Sequence, residues 1–276
     1  MSKLIFSVDI DWTKGSDPGL AGLVQLCEDY DMAGTFFTVS GFARQHPDLV
    51  HELSVRGHEV GLHGLEHGYR EYENYRVASE SIQYSWLEAA KTELESSAQV
   101  SVLSFRAPNL WVSNTTLQLL EVLGFTHDSS VPSRRLDLGY GRLGFDASHF
   151  FAPPNPYHPS RDRITRKGRM KILEVPPTTL MLPFNMSALR VFGLNPYRAL
   201  VRLAAATREY LVFYCHPEEF VKMERKPKRD EPRRYQIGLG PHNFDLLRRF
   251  LDDVLTITDG SRRLCDVPSP LGQNIK

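Results

Sequence analysis

The chain is short of cysteine. It has three in 276 residues, Cys27, Cys215 and Cys265, each within an apolar or mixed segment and none at a paired spacing. Reduced thiols in a cytoplasmic protein are therefore expected, and a disulfide framework is not. Net charge is absent as well: 33 basic residues balance 33 acidic ones, which argues against a general nucleic-acid binder. No apolar run reaches the roughly 20 residues needed to span a bilayer. Only five apolar or small residues separate Lys3 from Asp9, too few for the core of a secretory signal. What is present is 41% hydrophobic content, enough for the full core of one large α/β domain covering residues 1–276.

Strand and helix patterns alternate along that length. Leu4 to Val8 reads as a buried strand, and Asp17-Pro18 opens a helix with Leu20, Leu23, Val24, Cys27 and Tyr30 on one face. Thr35 to Val39 is a second strand rich in β-branched and aromatic residues. A helix with Pro47 in its first turn and Gly57 past its end follows, and then a third strand, His58 to Leu62. Asn74 to Glu95 is predicted as one long helix, Val102 to Phe105 as the fourth strand, and Ser113 as the cap of a helix that Gly124 stops. Phe244, Leu247 and Leu251 mark a last amphipathic helix, with Leu264-Cys265 as a final strand.

Chemistry-bearing residues sit at the ends of these strands. The first runs into Asp9-Ile10-Asp11, and acids two apart on a strand share a face. Two carboxylates so placed repel unless a cation or an arginine neutralises them. The third strand delivers His63, with His67 four residues on; a helical turn beginning at His63 would aim both imidazoles at one point. The spacing therefore proposes one metal held by an acid and two histidines, the other acid being left as a base. Which aspartate takes which part stays open on spacing alone. The fourth strand ends on Arg106, and in repeated strand–helix architectures ligands gather at the carboxyl ends of strands.

The ordered set Val8-Asp9-Ile10-Asp11, Gly34-Thr35-Phe36-Phe37, Gly57-His58-Glu59-Val60 with His63-Gly-Leu-Glu-His67, Phe105-Arg106-Ala107-Pro108, Gly124 to Ser130, and Phe213-Tyr214-Cys215-His216-Pro217 resembles the polysaccharide deacetylase family, the NodB homology domain of carbohydrate esterase family 4. The resemblance implies a distorted (β/α)7 barrel and a divalent metal, zinc before cobalt, nickel or manganese. It makes Asp9 the general base, Asp11, His63 and His67 the metal ligands, Arg106 the partner that orients the base, and His216 the general acid. Pro108, Asn109 and Tyr214 are placed on the substrate side. A backbone amide near Asn109 would serve the oxyanion, although asparagine stands where the family has tyrosine. Tyr214 stands where the family often has a leucine lining the acyl pocket. The expected substrate is an N-acylated sugar, free in a glycan or linked to a nucleotide or lipid, with peripheral membrane contact in the last case.

Two other readings are carried: a metal-independent, allantoinase-like amidohydrolase acting on ureides or cyclic imides, and a glycan-binding protein without turnover. The complete ligand set argues against the first, and the retained Asp9 and His216 against the second. Read without the family, His216 is a satisfied strand-end histidine and Arg106 an ordinary salt-bridge former. His58 and Glu59 read as structural, and His127, His149 and His158 as bystanders. Glu174, at the end of an apolar run, is expected to orient a neighbour of the site. Residues 133–168 and 221–240 read as long loops, the first of them shaping a substrate groove. Met181 to Asn195 reads as core packing, and the basic run Lys222 to Arg234 as a solvated loop with a phosphate site as the sharper alternative.

Overall fold

The structure, a computed structural model, describes all residues except 12–13, 68–72, 136, 139–144, 147–148, 181, 223–236 and 271–276. Strand β1 (Ser2–Ile10) is its axis. Leu4, Phe6, Val8 and Ile10 pack into the large outer core beneath the helices, while Ile5 joins a smaller inner cluster with Phe37, Leu173, Val175, Val212, Leu264 and Val267. This period-two split puts Ile5, Ser7 and Asp9 on the face of β1 opposite the helices.

Helix α1 (Asp17–Asp29) leads to β2 (Thr35–Thr38), followed by α2 (Ser40–Gln45), α3 (Pro47–Val55) and β3 (Glu59–Leu62). Then come α4 (Glu80–Ala98), β4 (Ser104–Phe105), α5 (Asn114–Val122) and β5 (His127–Asp128). Two short hairpins, β6 (Asp137–Leu138) with β7 (Phe145–Asp146) and β9 (Thr179–Leu180) with β10 (Leu182–Pro183), flank β8 (Leu173–Glu174). The chain closes with α6 (Met186–Phe192), α7 (Leu194–Ala205), β11 (Tyr210–Cys215), α8 (Asn243–Leu255) and β12 (Thr258–Ser261).

Seven parallel strands run in the order β11-β1-β2-β3-β4-β5-β8, with β12 beside the start of β1. This is the distorted (β/α)7 arrangement the motifs imply. Where β8 and β11 fail to pair, residues 178–185 cross the gap: Thr178 N–H donates to Val212 O at 3.3 Å and Tyr214 N–H to Phe184 O at 3.3 Å. Curling the sheet this tightly needs room inside, and Gly61 supplies it, since a Cβ there would fall 2.7 Å from the Phe37 ring. Among the described residues, no helix is long and apolar enough to cross a membrane.

Several boundaries differ from the sequence expectation. The predicted Asn74–Glu95 helix begins only at Glu80. Asn74 instead forms a turn, accepting from Ala78 N–H at 3.0 Å through its carbonyl and from Arg76 N–H at 3.1 Å through its side chain, a local competition typical of asparagine. The fourth strand shortens to Ser104–Phe105 because Val102 N–H is taken by the Glu95 carboxylate at 3.1 Å. Leu264-Cys265 is a 3-10 turn, not a strand, its amides bound by Thr35 Oγ1 at 2.9 Å and Glu59 Oε2 at 3.0 Å. A separate helix, α2, precedes Pro47, which starts α3 instead of continuing it. Phe184, Met186, Leu189 and Leu194 are buried, so these residues pack into the core as expected, whereas Val191 and Phe192 of the same stretch are exposed. Beyond Lys222 the basic run lies outside the described residues.

Candidate metal and acid–base centre

One rung of the sheet aligns Ile10, Thr38, Leu62, Phe105, Asp128 and Glu174. Asp11, His63 and Arg106 therefore emerge together, one residue past that rung at the carboxyl edge. Val8 pairs with Cys215 on the other side of β1, which brings His216 level with Asp9.

Arg106 organises the acid side. Wholly buried, its guanidinium donates through Nη1 to Asp9 Oδ1 at 2.7 Å and Ser7 Oγ at 2.8 Å, through Nη2 to Ser129 Oγ at 2.9 Å, and through Nε to Ser129 O at 3.1 Å. It stacks 4.3 Å from the Phe37 ring centre and 5.4 Å from that of Tyr214. Asp9 Oδ2 is left facing His216 Nε2 at 4.0 Å.

On the other side of Arg106, Asp11, His63 and His67 converge, their ligand atoms all within 4.8 Å of one another. His63 Nδ1 lies 2.8 Å from Arg106 O. A carbonyl can only accept, so Nδ1 carries a proton and Nε2 is the nitrogen left to face the site. Nε2 faces Asp11 Oδ1 at 3.3 Å, an oxygen that is buried and has no other hydrogen-bond partner among the described residues. His67 Nε2 is 3.6 Å from Asp11 Oδ2. Burial works against the charged form of Asp11, yet its pKa is held below the usual carboxylate range by His67, by the His63 contact and by His216. A buried anionic oxygen turned toward two imidazole nitrogens fits a divalent cation, and one carboxylate with two imidazoles is a donor set suited to zinc.

The family model for polysaccharide deacetylase matches residues 8–127, the stretch that carries Asp9, Asp11, both histidines and Arg106. The match covers a little under half of the chain. A candidate polysaccharide deacetylase of Mycobacterium smegmatis superposes with a TM-score of 0.63 at 18% identity, over 95% of this chain and 86% of that one. Puue allantoinase gives 0.61 at 16%, over 96% and 88%. The polysaccharide deacetylase Bc1974 from Bacillus cereus gives 0.51 at 12%, over 99% and 98%. At such identities these likenesses speak to the fold. No curated protein matches the sequence.

His67 is reached differently from the sequence expectation. Residues 63–67 form no helical turn: Gly64 has φ +90° and His67 φ +50°. The loop is held by Glu73, a buried acid that sequence reasoning passed over. Asn109, at φ +55°, lies within the 3-10 turn Pro108–Leu110 that follows Arg106, so this backbone turns sharply at the site.

His216 has a partner that was also missed. Glu219 Oε2 accepts the His216 backbone N–H at 2.9 Å and lies 3.4 Å from its Nδ1, the two residues closing a capping box over the turn Pro217–Phe220. Glu219 Oε1 is fixed by Ser187 Oγ at 2.7 Å and Arg190 Nη2 at 2.8 Å. Burial alone would lower the His216 pKa, but the Glu219 hydrogen bond and the charges of Asp11, Glu218 and Glu219 raise it well above the ordinary histidine value. Glu218, next in the turn, is pushed by burial up to about 7.

Asp128 and Glu174 are neighbours across β5 and β8, both wholly buried. Ser130 Oγ donates to Asp128 Oδ1 at 2.6 Å and Val131 N–H to Glu174 Oε1 at 3.0 Å, leaving one oxygen of each acid without another partner. Burial raises the pKa of both, that of Glu174 far above the usual range, because Asp128 adds its own charge and hydrogen bond. The pair is best written as one carboxyl and one carboxylate sharing a proton. Three histidines outside the site have structural partners: His58 Nδ1 accepts Gly34 N–H at 3.2 Å, His127 Nε2 meets Val267 O at 3.0 Å, and His158 bonds Met170 O at 2.8 Å.

Proposed function

We propose that the protein is a metal-dependent hydrolase that removes an N-acyl group, acetyl or formyl, from an amino sugar of a glycan, a nucleotide-linked sugar or a lipid-linked sugar. The observation that carries this reading is the division of labour between the two N-terminal acids. Asp11 faces two imidazoles, while Asp9 is held by Arg106 and faces His216. Asp11, His63 and His67 would hold the metal, zinc being the first expectation. When bound, it would polarise the acyl carbonyl and acidify water.

The chain's own groups then supply the proton transfers. Asp9, with Oδ1 committed to Arg106, uses Oδ2 to take a proton from the attacking water. His216, protonated under the influence of Glu219, gives its proton to the departing amine, without which an amide nitrogen leaves poorly. A backbone N–H near Asn109 would stabilise the oxyanion. Pro108 and Tyr214 would border the acyl group and sugar, and the products are an amino sugar and acetate or formate.

The test is acetate and formate release from a panel of N-acyl sugars, before and after complete chelation. Release from at least one sugar, abolished by chelation and restored by Zn2+, is expected. Release that survives chelation moves the protein to the metal-independent amidohydrolases.

A further inference from the structure

Glu73 takes no part in the chemistry proposed above, yet most of what it binds belongs to the loop that carries His67. Its Oε2 accepts the backbone N–H groups of Glu66 at 2.8 Å and His67 at 2.9 Å; its Oε1 accepts those of Leu65 and, at 2.9 Å, the hydroxyl of Tyr75. Three successive amides thus converge on one carboxylate that is only 4% exposed. Consecutive N–H groups arranged this way form a concavity that holds an anion. Here the anion is the protein's own.

The geometry of the loop explains why such a clamp is needed. A helical turn would bring residues four apart to one face without help, but the 63–67 segment is not helical. His67 instead sits in the left-handed region, which a non-glycine residue occupies only when its surroundings impose it. Gly64, at φ +90°, lies so close beneath the carboxylate that a Cβ would fall 2.6 Å from Glu73 Oε1. Tyr75, wholly buried with its ring edge-on to Phe105 and Trp86, anchors the far side of Glu73 to the core.

We propose that Glu73 is the positioning residue of the metal centre, locking residues 65–67 so that His67 Nε2 faces Asp11 before any ion arrives. The inference rests on the reading of Asp11, His63 and His67 as metal ligands. Glutamine at position 73 keeps the size but removes the charge and turns an amide N–H2 toward backbone donors, so the clamp loosens without leaving a void. Alanine removes the clamp entirely.

The experiment titrates Zn2+ into the metal-free full chain in competition with a chromophoric chelator, for wild type, Glu73→Gln and Glu73→Ala. Circular dichroism and melting of each metal-free protein are recorded alongside. A 10- to 100-fold weaker Kd is expected for Glu73→Gln, the cost typical of losing a group that orients a ligand, with Glu73→Ala at least as weak. A role confined to loop stability would lower the melting temperature and leave the affinity, measured well below it, unchanged. Glu73→Gln that is folded and binds Zn2+ within twofold of wild type overturns the proposal alone. Wild type that takes up no Zn2+ overturns the metal reading and this proposal with it. Should both variants fail to fold, hydrogen exchange of metal-free wild type decides: slow exchange of the Leu65, Glu66 and His67 amides is expected, and exchange at the rate of open chain overturns it.

Discussion

Arg106 donates to Asp9 Oδ1 at 2.7 Å inside a site where both side chains are buried. The same guanidinium spans Ser7 on β1 and Ser129 just past β5, through its three nitrogens. Lysine offers one compact ammonium and cannot reproduce that planar fork. Arg106→Lys is therefore expected to lower kcat by at least 100-fold while metal content stays at the wild-type level. Arg106→Ala, which leaves Asp9 buried without its counter-ion, is expected to lose about 3–5 kcal/mol of stability in denaturant unfolding.

Glu219 should matter most where the leaving group needs a proton. Glu219→Gln, paired with Arg190→Met so that no buried cation is left alone, is expected to slow amide hydrolysis at least tenfold and to spare an aryl acetate whose phenolate leaves unaided. The sign of the pH effect follows from the raised His216 pKa. The acid is present below that pKa and lost above it, so removing the largest raising influence moves the alkaline limb of the wild-type profile to lower pH. Equal losses on both substrates with an unmoved limb would reduce Glu219 to a capping residue.

The Asp128–Glu174 pair makes a prediction about stability alone. The folded-state pKa of Glu174 is raised, so the stability the pair contributes is full below the unfolded value of about 4.3 and is lost as pH rises toward the folded value. Glu174→Gln can still accept Val131 N–H and can donate to Asp128. The variant is expected to be as stable as wild type near pH 4 and more stable at pH 8, measured by urea unfolding at both. A difference between the two proteins that does not change with pH would rule out the shared proton.

Much of this site was legible in the sequence because period-two strands dictate which residues share a face. Asp9 and Asp11 had to emerge together, and the register of β1, β2, β3 and β4 carries His63 and Arg106 to the same edge. Helix α5 was likewise readable from its ends, with Ser113 closing a capping box and Gly124 at φ +81° beyond it. What was not legible lies off the regular elements. The spacing of His63 and His67 suggested a helical turn, and nothing in a local pattern reveals that Glu73, across an irregular loop, does that work instead. Glu219 follows His216 at a capping-box spacing, a signal that could have been read, but its ties to Ser187 and Arg190 span about thirty residues of sequence. Glu59 was expected to be structural, yet its place binding Thr35 and Cys265 depends on a terminal turn whose position no periodicity announces.

The central claim is that the two N-terminal acids have separate tasks, and metal analysis of Asp9→Ala and Asp11→Ala beside wild type, with acyl release measured on the same samples, tests it most directly. One equivalent of divalent metal is expected in wild type and in Asp9→Ala, little or none in Asp11→Ala, and turnover in wild type alone. Equal metal in all three proteins, or turnover retained by Asp11→Ala after chelation, would contradict it.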